Sequence, residues 1–181
     1  MIGLLLINSC FVFKALTKRM NDSIAAFIKL MKHPFKFRMF LFSKLPSAFF
    51  AGVRIKDMDK KKCIVTVPYK WFSQNPFRST YFACLSMAAE MSTGALAMAY
   101  LYKRKPIVSM LVTKVDSEYF KKAVGKTIFT CNDGELFETA IQEAVSTGEP
   151  RVVKAKSTGK NKNDETIAEF YITWSFKVKN K

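Results

Sequence analysis

Histidine is almost absent from the sequence, and this excludes several familiar kinds of catalytic site. His33 is the only histidine among 181 residues, and it precedes Pro34 in a basic N-terminal segment. A Ser-His-Asp or Cys-His system would have to use this residue, and a metal site built from several histidines cannot form. Neither a Gly-x-x-x-x-Gly-Lys-[Ser/Thr] loop nor a strand-linked Gly-x-Gly-x-x-Gly is present. We therefore expect no metal and no cofactor, and carboxylate chemistry if the protein is an enzyme.

Cysteine is also scarce and carries no recognisable pattern. The four cysteines are widely spaced and form no Cys-x-x-Cys pair: Cys10, Cys63, Cys84 and Cys131. Such spacing indicates neither a zinc site nor a disulfide framework. Reduced, buried thiols in a cytoplasmic protein are the simplest interpretation.

The chain has no long hydrophobic run. Residues Ile2 to Phe13 are apolar but fall short of the roughly 18 to 20 residues that a membrane-spanning helix needs. The start also lacks the basic residues of a secretory signal. A true start at Met20 or Met31 is an alternative that the sequence leaves open.

Acidic residues are outnumbered, with 14 Asp and Glu against 30 Lys and Arg and a net charge of +16. Such a charge attracts polyanions. The basic residues are scattered, however, and the aromatic residues fall on apolar faces instead of alternating with them as a nucleic-acid surface would require. We expect one globular domain that does not bind nucleic acid.

The N-terminal part, residues 1–48, is predicted to be a helical extension. From Asp22 to Phe50 the pattern indicates two short amphipathic helices, broken at Pro34 and ended near Pro46. One predicted face carries Ile24, Phe27, Ile28 and Met31. The first 56 residues hold ten basic residues and one acid. This segment either caps the domain, which is the simpler interpretation, or lies on an anionic membrane surface.

Residues 49–181 are predicted to form an α+β domain. Strand patterns at Val53–Met58 and Cys63–Pro68, joined by a charged turn, indicate a hairpin. A long helix rich in small residues follows, with Ser79 as its N-cap and an end near Tyr102. The remaining predicted elements are strands at Ile107–Val115, Lys126–Cys131, Arg151–Ser157 and Thr166–Lys179, and a helix from Asn132 or Asp133 to Thr147 whose inward face includes Leu136 and Phe137.

One acid stands out inside the long helix. Glu90 has small or apolar neighbours at helical spacing, including Met87, Gly94 and Ala97. A carboxylate in such surroundings is costly unless it meets a partner or takes part in chemistry. Glu90 is therefore either a structural acid or a catalytic one.

Several local motifs resemble a hotdog-fold family of uncharacterised domains related to acyl-CoA thioesterases. The resemblance covers about Phe49 to Lys179. Its motifs are Ala48-Phe-Phe-Ala-Gly-Val-Arg54, Val67-Pro-Tyr-Lys-Trp71, Asn75-Pro-Phe-Arg-Ser-Thr-Tyr-Phe-Ala83, Ala88-Ala-Glu90, Ser146-Thr-Gly-Glu149 and Trp174-Ser-Phe-Lys177. It implies a long central helix wrapped by an antiparallel β-sheet, and a homodimer with a cleft at the subunit interface.

The resemblance also implies site residues. Thioesterases of the phenylacetyl-CoA type place an Asn before the helix, His-Gly-Gly at its start and an acid on it. Asn75 and Glu90 match the Asn and the acid, whereas Tyr81, Phe82 and Ala83 replace His-Gly-Gly. By resemblance, Glu90 would activate water or attack directly, Asn75 would orient the thioester or the water, and backbone amides near Phe82 and Ala83 would bind its oxygen.

The predicted substrate-binding residues are Tyr81, Phe82, Ala83, Thr93 and Gly94, and the predicted substrate is an acyl thioester of coenzyme A or acyl carrier protein. Packing is the simpler role for Tyr81 and Trp71, and a solvated helix end for Lys103-Arg104-Lys105, whose alternative role is a clamp for coenzyme A phosphates. The alternative to hydrolysis is a non-catalytic module that binds an acyl group or a membrane surface.

Overall fold

The computed structural model describes residues 18–179. Five helices are α1 (18–32), α2 (Pro34–Lys44), α3 (Pro46–Ala51), α4 (Phe82–Leu101) and α5 (Gly134–Thr147). The six strands are β1 (Arg54–Met58), β2 (Cys63–Val67), β3 (Val108–Tyr119), β4 (Thr127–Cys131), β5 (Arg151–Lys160) and β6 (Thr166–Val178). A short 3₁₀ turn spans Trp71–Ser73.

The six strands form one antiparallel sheet in the order β1-β2-β4-β5-β6-β3. Helix α4 packs against the sheet, where Ala88, Ala89 and Leu96 are completely buried. Small side chains on α4 allow its axis to lie close to the strands, because they fill little space between the helix and the sheet. The architecture is the hotdog fold, which confirms the predicted α+β class.

Strand β6 confirms the alternation seen in the sequence. Phe170, Ile172, Trp174 and Phe176 face the interior and are almost inaccessible to solvent. The hairpin β1–β2 is also confirmed, with Met58 paired to Cys63. Strand β3 runs four residues beyond the predicted Val115, because its second half pairs with β6 as far as Tyr119 and Ala168.

Two local predictions about the helices are wrong. Helix α4 begins at Phe82, not at Ser79, because the Ser79 hydroxyl donates to the side chain of Asn75 instead of capping the helix. On α5, Leu136 is 47% exposed, while Phe137 is buried as predicted. Successive residues of an α-helix are rotated by about 100° about its axis. Leu136, one residue before Phe137, therefore points away from the buried side of α5.

The N-terminal helices cover the domain with one face. Ile24, Phe27 and Met31 of α1 are buried, as predicted, and the Phe27 ring lies 5.3 Å from that of Tyr102 at the end of α4. Helix α3 lies across the predicted boundary between residues 48 and 49, which stays a prediction. The apolar run from Ile2 to Phe13 lies outside the described residues.

Three cysteines are free thiols inside the fold: Cys63, Cys84 and Cys131. Burial raises the pKa of Cys131 to about 12, so it remains a neutral thiol. Cys10 lies outside the described residues.

Among residues 18–179, α4 alone has the length and hydropathy of a membrane span, but 67% of its apolar stretch is buried inside the fold. It is the core helix of this domain.

Candidate functional site

The loop before α4 is organised by Asn75. Its side-chain oxygen accepts hydrogen bonds from the amides of Phe77 (3.0 Å) and Ser79 (3.2 Å) and from the Ser79 hydroxyl (3.2 Å). An Asn oxygen that accepts from the backbone two residues on forms an Asx turn. Asn75 therefore holds the loop with its oxygen, and no residue in the described part of the chain accepts from its Nδ2 group.

The start of α4 presents two backbone amides without a protein partner. The carbonyl of Tyr81 accepts from the amides of Cys84 (2.9 Å) and Leu85 (3.3 Å). No acceptor among the described residues pairs with the amides of Phe82 and Ala83. Unpaired amides at a helix N-terminus point along the axis and carry partial positive charge. This helix end can accept a negatively charged oxygen.

A cleft of about 780 Å³ opens at this end of the helix. One wall is the loop from Gln74 to Thr80 together with Tyr81, Phe82 and Leu85; the other is the segment from Tyr119 to Ala123 that follows β3. The Thr80 amide and hydroxyl join the walls through hydrogen bonds to Ala123 O, of 2.8 and 3.1 Å. Sequence patterns gave no signal for this second wall.

Glu90 lies two turns further along α4. It is half-buried, and its carboxylate forms no hydrogen bond or salt bridge with any residue in 18–179. Removal from water raises the pKa of Glu90 above its ordinary value. A carboxylate with a raised pKa and no partner is suited to accept a proton from water.

Thr93 and Gly94 follow Glu90 in the next turn of α4 and contact Trp174 of β6. Thr93 is buried, and its hydroxyl donates to the Glu90 carbonyl (3.0 Å) and accepts from Trp174 Nε1 (3.0 Å). A methyl group on Gly94 would lie 3.0 Å from Glu90 Oε1 and 3.1 Å from Trp174 Cζ2. A side chain larger than that of glycine would require Glu90 or the Trp174 ring to shift. The sequence did not predict that Trp174 belongs to this region. Alternation in β6 shows that Trp174 is buried, but not which residues it contacts.

The structure divides the predicted site residues into two groups. Asn75, Tyr81 and Phe82 line the cleft, with Ala83 at the same helix end. Glu90, Thr93 and Gly94 do not line it. Eight residues separate Phe82 from Glu90, which is about 12 Å along a helix. Within one subunit, the carboxylate and the unpaired amides are therefore separated.

The basic run at the other end of α4 lies far from the cleft. Lys103, Arg104 and Lys105 line a second cavity of about 610 Å³, between α1 and α5. Twenty residues of helix, about 30 Å, separate this cavity from the start of α4. The role of this run as a phosphate clamp stays a prediction. No cluster of three or more metal-ligating side chains occurs in the described part of the chain.

The chain is similar in structure to bacterial proteins of low sequence identity. A Pseudomonas aeruginosa protein of unknown function, described as a probable thioesterase, is 17% identical, with a TM-score of 0.68 over 83% of this chain and 99% of that one. A Chlorobaculum tepidum protein of unknown function is 18% identical, with a TM-score of 0.66 over 80% and 93%. A Haemophilus influenzae thioesterase is 10% identical, with a TM-score of 0.56 over 77% and 88%. At these identities, the similarities establish the fold.

Comparison with sequence families adds one match. The family described as a domain of unknown function, DUF4442, matches residues 36–176. No curated protein sequence matches the chain. The matched range begins inside α2 and includes all of the sheet except the last two residues of β6.

Proposed function

Since the chain belongs to the DUF4442 family of domains of unknown function, we propose from its own site that it hydrolyses acyl thioesters, with acyl-CoA as the substrate. The observation that carries the proposal is the pair of unpaired amides, Phe82 and Ala83, at a helix end that opens into a cleft. Structural similarity to proteins described as thioesterases supports it. Hydrolysis also needs a general base, and Glu90, whose pKa is raised by burial, supplies one.

Glu90 acts as the general base in this proposal. Its carboxylate takes a proton from water while the water oxygen attacks the carbonyl carbon of the thioester. The amides of Phe82 and Ala83 donate to the oxyanion that forms, and the positive end of α4 stabilises its charge. Collapse of the intermediate breaks the carbon–sulfur bond, and the sulfur takes the proton from Glu90. In the alternative first step, the Glu90 carboxylate attacks the carbonyl carbon and expels the coenzyme A thiolate, which leaves an acyl–Glu90 anhydride. Water then cleaves the anhydride to the free carboxylic acid and the Glu90 carboxylate, and the proton released goes to the thiolate.

The separation of Glu90 from its own helix start supports a homodimer. In a second subunit with an antiparallel α4, Glu90 would lie beside the amides of Phe82 and Ala83 of the first. Strand β3 is an edge strand with one side unpaired, and it exposes Leu111 and Val115, at 66% and 50%. Such an apolar edge is suited to pairing with a second copy. The site would then be complete only in the dimer.

Other residues of the cleft would bind the substrate. Asn75 Nδ2 would donate to the thioester or to the water, because the Asn75 oxygen is already occupied. Lys122 lines the cleft without a salt bridge to any residue in 18–179, whereas Lys121 beside it is paired with Glu165, so Lys122 is the cation that would meet the phosphates of coenzyme A. Acyl-CoA and reduced thiols both favour a cytoplasmic location, which is part of this proposal.

A thiol-release assay tests hydrolysis. Wild type, Glu90→Gln and Glu149→Gln are compared on acyl-CoAs of graded chain length; Glu149 is an exposed acid after α5 and serves as the control. We expect Glu149→Gln to match wild type and Glu90→Gln to lose at least about a hundredfold in kcat/KM while it keeps its affinity. No release by a folded, dimeric wild type with any chain would overturn the proposal.

A non-catalytic acyl-binding module is the second candidate function. It is favoured by Tyr81 and Phe82, whose exposed rings lie 4.9 Å apart at the helix start and narrow the approach to the amides. Binding of acyl-CoA without turnover would establish this function. Phe82→Gly then separates the two: faster hydrolysis shows that the ring limits a working site, whereas no hydrolysis shows that the site lacks catalytic chemistry.

A further inference from the structure

The outer face of the N-terminal helices carries an unusual amount of exposed aromatic surface. Phe35, Met39 and Phe42 follow one another at spacings of four and three residues, so they form one stripe along α2. They are 69%, 50% and 52% exposed. The opposite side of α2 is buried through Phe37 and Leu41. Helix α2 is therefore apolar on both sides, and only one side is covered by the domain.

The stripe continues across α3 onto the 3₁₀ turn. Successive ring centroids are 5.2 Å apart for Phe42 and Phe49, 5.4 Å for Phe49 and Phe50, 5.5 Å for Phe50 and Phe72, and 4.7 Å for Phe72 and Trp71. Trp71 is 74% exposed. We define the outer patch as Phe35, Met39, Phe42, Leu45, Phe50, Trp71 and Phe72. Large exposed apolar patches of this kind mark interaction surfaces.

The charge around the outer patch has one sign. No acidic residue occurs between Asp22 and Asp57, or between Asp59 and Glu90. The same two stretches place four basic residues on the elements of the patch and directly beside them: Lys36, Arg38, Lys44 and Lys70. None of these four forms a salt bridge with any residue in 18–179.

We propose that the outer patch docks the protein on an anionic phospholipid membrane. Aromatic side chains insert at the boundary between headgroups and acyl chains, while lysines and arginines meet the anionic headgroups. A second copy of this chain is a poorer occupant, because a two-fold contact would bring two basic surfaces together without an acid between them. Charge complementarity therefore favours the membrane.

The patch is joined to the start of α4. The Tyr81 amide donates to the Ser73 carbonyl (2.7 Å), and Gln74 pairs with Thr80. These contacts connect the turn that carries Trp71 to the loop that lines the cleft. A protein docked through the patch would hold the cleft close to the lipid surface. The docking itself does not depend on hydrolysis and is measured without it.

Vesicle co-sedimentation with the full chain tests the proposal. Vesicles of phosphatidylcholine alone are compared with vesicles of phosphatidylcholine and phosphatidylglycerol. Phe35→Ser/Trp71→Ser removes the two most exposed rings of the patch, and Leu136→Ser/Val152→Ser removes two exposed apolar side chains elsewhere. We expect wild type and the control to bind the anionic vesicles, and the patch variant to bind them at least about tenfold more weakly, because two aromatic rings no longer insert into the membrane.

Charge is tested with Lys36→Gln/Lys44→Gln against Lys126→Gln/Lys162→Gln, which changes the net charge equally; all four lysines are exposed. The first pair should weaken binding to anionic vesicles by roughly tenfold and the second should not. Trp71 gives a direct signal, because the only other tryptophan, Trp174, is buried. Its fluorescence should shift to shorter wavelength with anionic vesicles.

Three results would overturn the inference. Equal binding to both vesicle types would show that the charge of the membrane does not contribute to docking. Equal binding of the patch and control variants would remove the role of the patch, and would assign any binding to another part of the chain. A patch variant that changes the oligomeric state in light scattering, without changing vesicle binding, would make the patch a contact between subunits.

Discussion

Trp174 donates from its indole nitrogen to the hydroxyl of Thr93, at 3.0 Å, and this hydrogen bond joins β6 to α4 beside Glu90. Both side chains are buried, at 4% and 0% exposure. The same Thr93 hydroxyl donates to the Glu90 carbonyl. The bond therefore fixes the position of the one half-buried acid of the central helix against the sheet.

Thr93→Val should destabilise the protein. The substitution keeps the shape of the side chain but leaves the indole N–H buried without a partner, which costs about 1–3 kcal/mol. Thr93→Ser keeps the hydroxyl and serves as the control. Urea denaturation of the three proteins measures the free energy of unfolding. A loss in Thr93→Ser as large as that in Thr93→Val would show that the methyl group, and not the hydrogen bond, matters.

Gly94→Ala should also destabilise the protein, although alanine favours helices. The new methyl group would lie 3.1 Å from Trp174 and 3.0 Å from Glu90, which is closer than ordinary van der Waals contact, and the hydrogen bond to Thr93 restrains the Trp174 ring. We expect a loss of about 1–2 kcal/mol from overpacking. Gly125→Ala, where the methyl group would enter open space, is the control and should be neutral or slightly stabilising. If Gly94→Ala is more stable than wild type, the Trp174 ring moves to make room for the methyl group.

Asn75→Asp separates the two roles of Asn75. Aspartate keeps an oxygen that can accept from Phe77 and Ser79, so the loop should hold and stability should change by less than about 1 kcal/mol. The Nδ2 donor is lost, and hydrolysis should fall by roughly ten- to a hundredfold if that group contacts the substrate. Asn75→Ala should lose both stability and activity. Full activity in Asn75→Asp would make Asn75 a purely structural residue.

The pH dependence of stability should depend on Glu90. Its pKa is raised by burial in the folded state, so the folded protein binds more protons than the unfolded one once the pH exceeds the ordinary value of 4.5. Glu90 should therefore reduce the free energy of unfolding as the pH rises through the raised pKa, and Glu90→Gln should be more stable than wild type at neutral pH. Urea denaturation of both proteins from acid to neutral pH measures this difference. Parallel curves would contradict burial of the carboxylate.

The activity should depend on the same titration of Glu90, but it should rise with pH where the stability falls. The general base must be ionised, so kcat/KM should rise with pH through the raised pKa of Glu90. A pH–rate profile of wild type locates this pKa. A profile that stays flat across acid and neutral pH would assign the base to another group.

The order of the elements could be predicted because each depends on local pattern. Alternation in β6 and small residues in α4 are visible without a partner, and the structure confirms both. The ends were harder to predict. Helix α4 starts at Phe82 because the Ser79 hydroxyl bonds to Asn75, and β3 reaches Tyr119 because β6 is there to pair with it.

Part of the candidate site was also visible in the sequence. Glu90 stands out because a charged residue in an apolar helix is costly wherever the helix packs. The partners of this region could not be predicted, since Trp174 lies 81 residues beyond Thr93 and meets it only across the interior. The wall from Tyr119 to Ala123 is likewise formed by a loop without a repeating pattern.

The sequence by itself determined the fold class, the inward face of β6 and the isolation of one acid among apolar neighbours, because these follow from local periodicity and the cost of burying charge. Only the tertiary structure decided which helix amides are unpaired, how far Glu90 lies from them, and that α2 exposes a second apolar face. These properties depend on contacts between distant segments, and local spacing along the chain does not contain them.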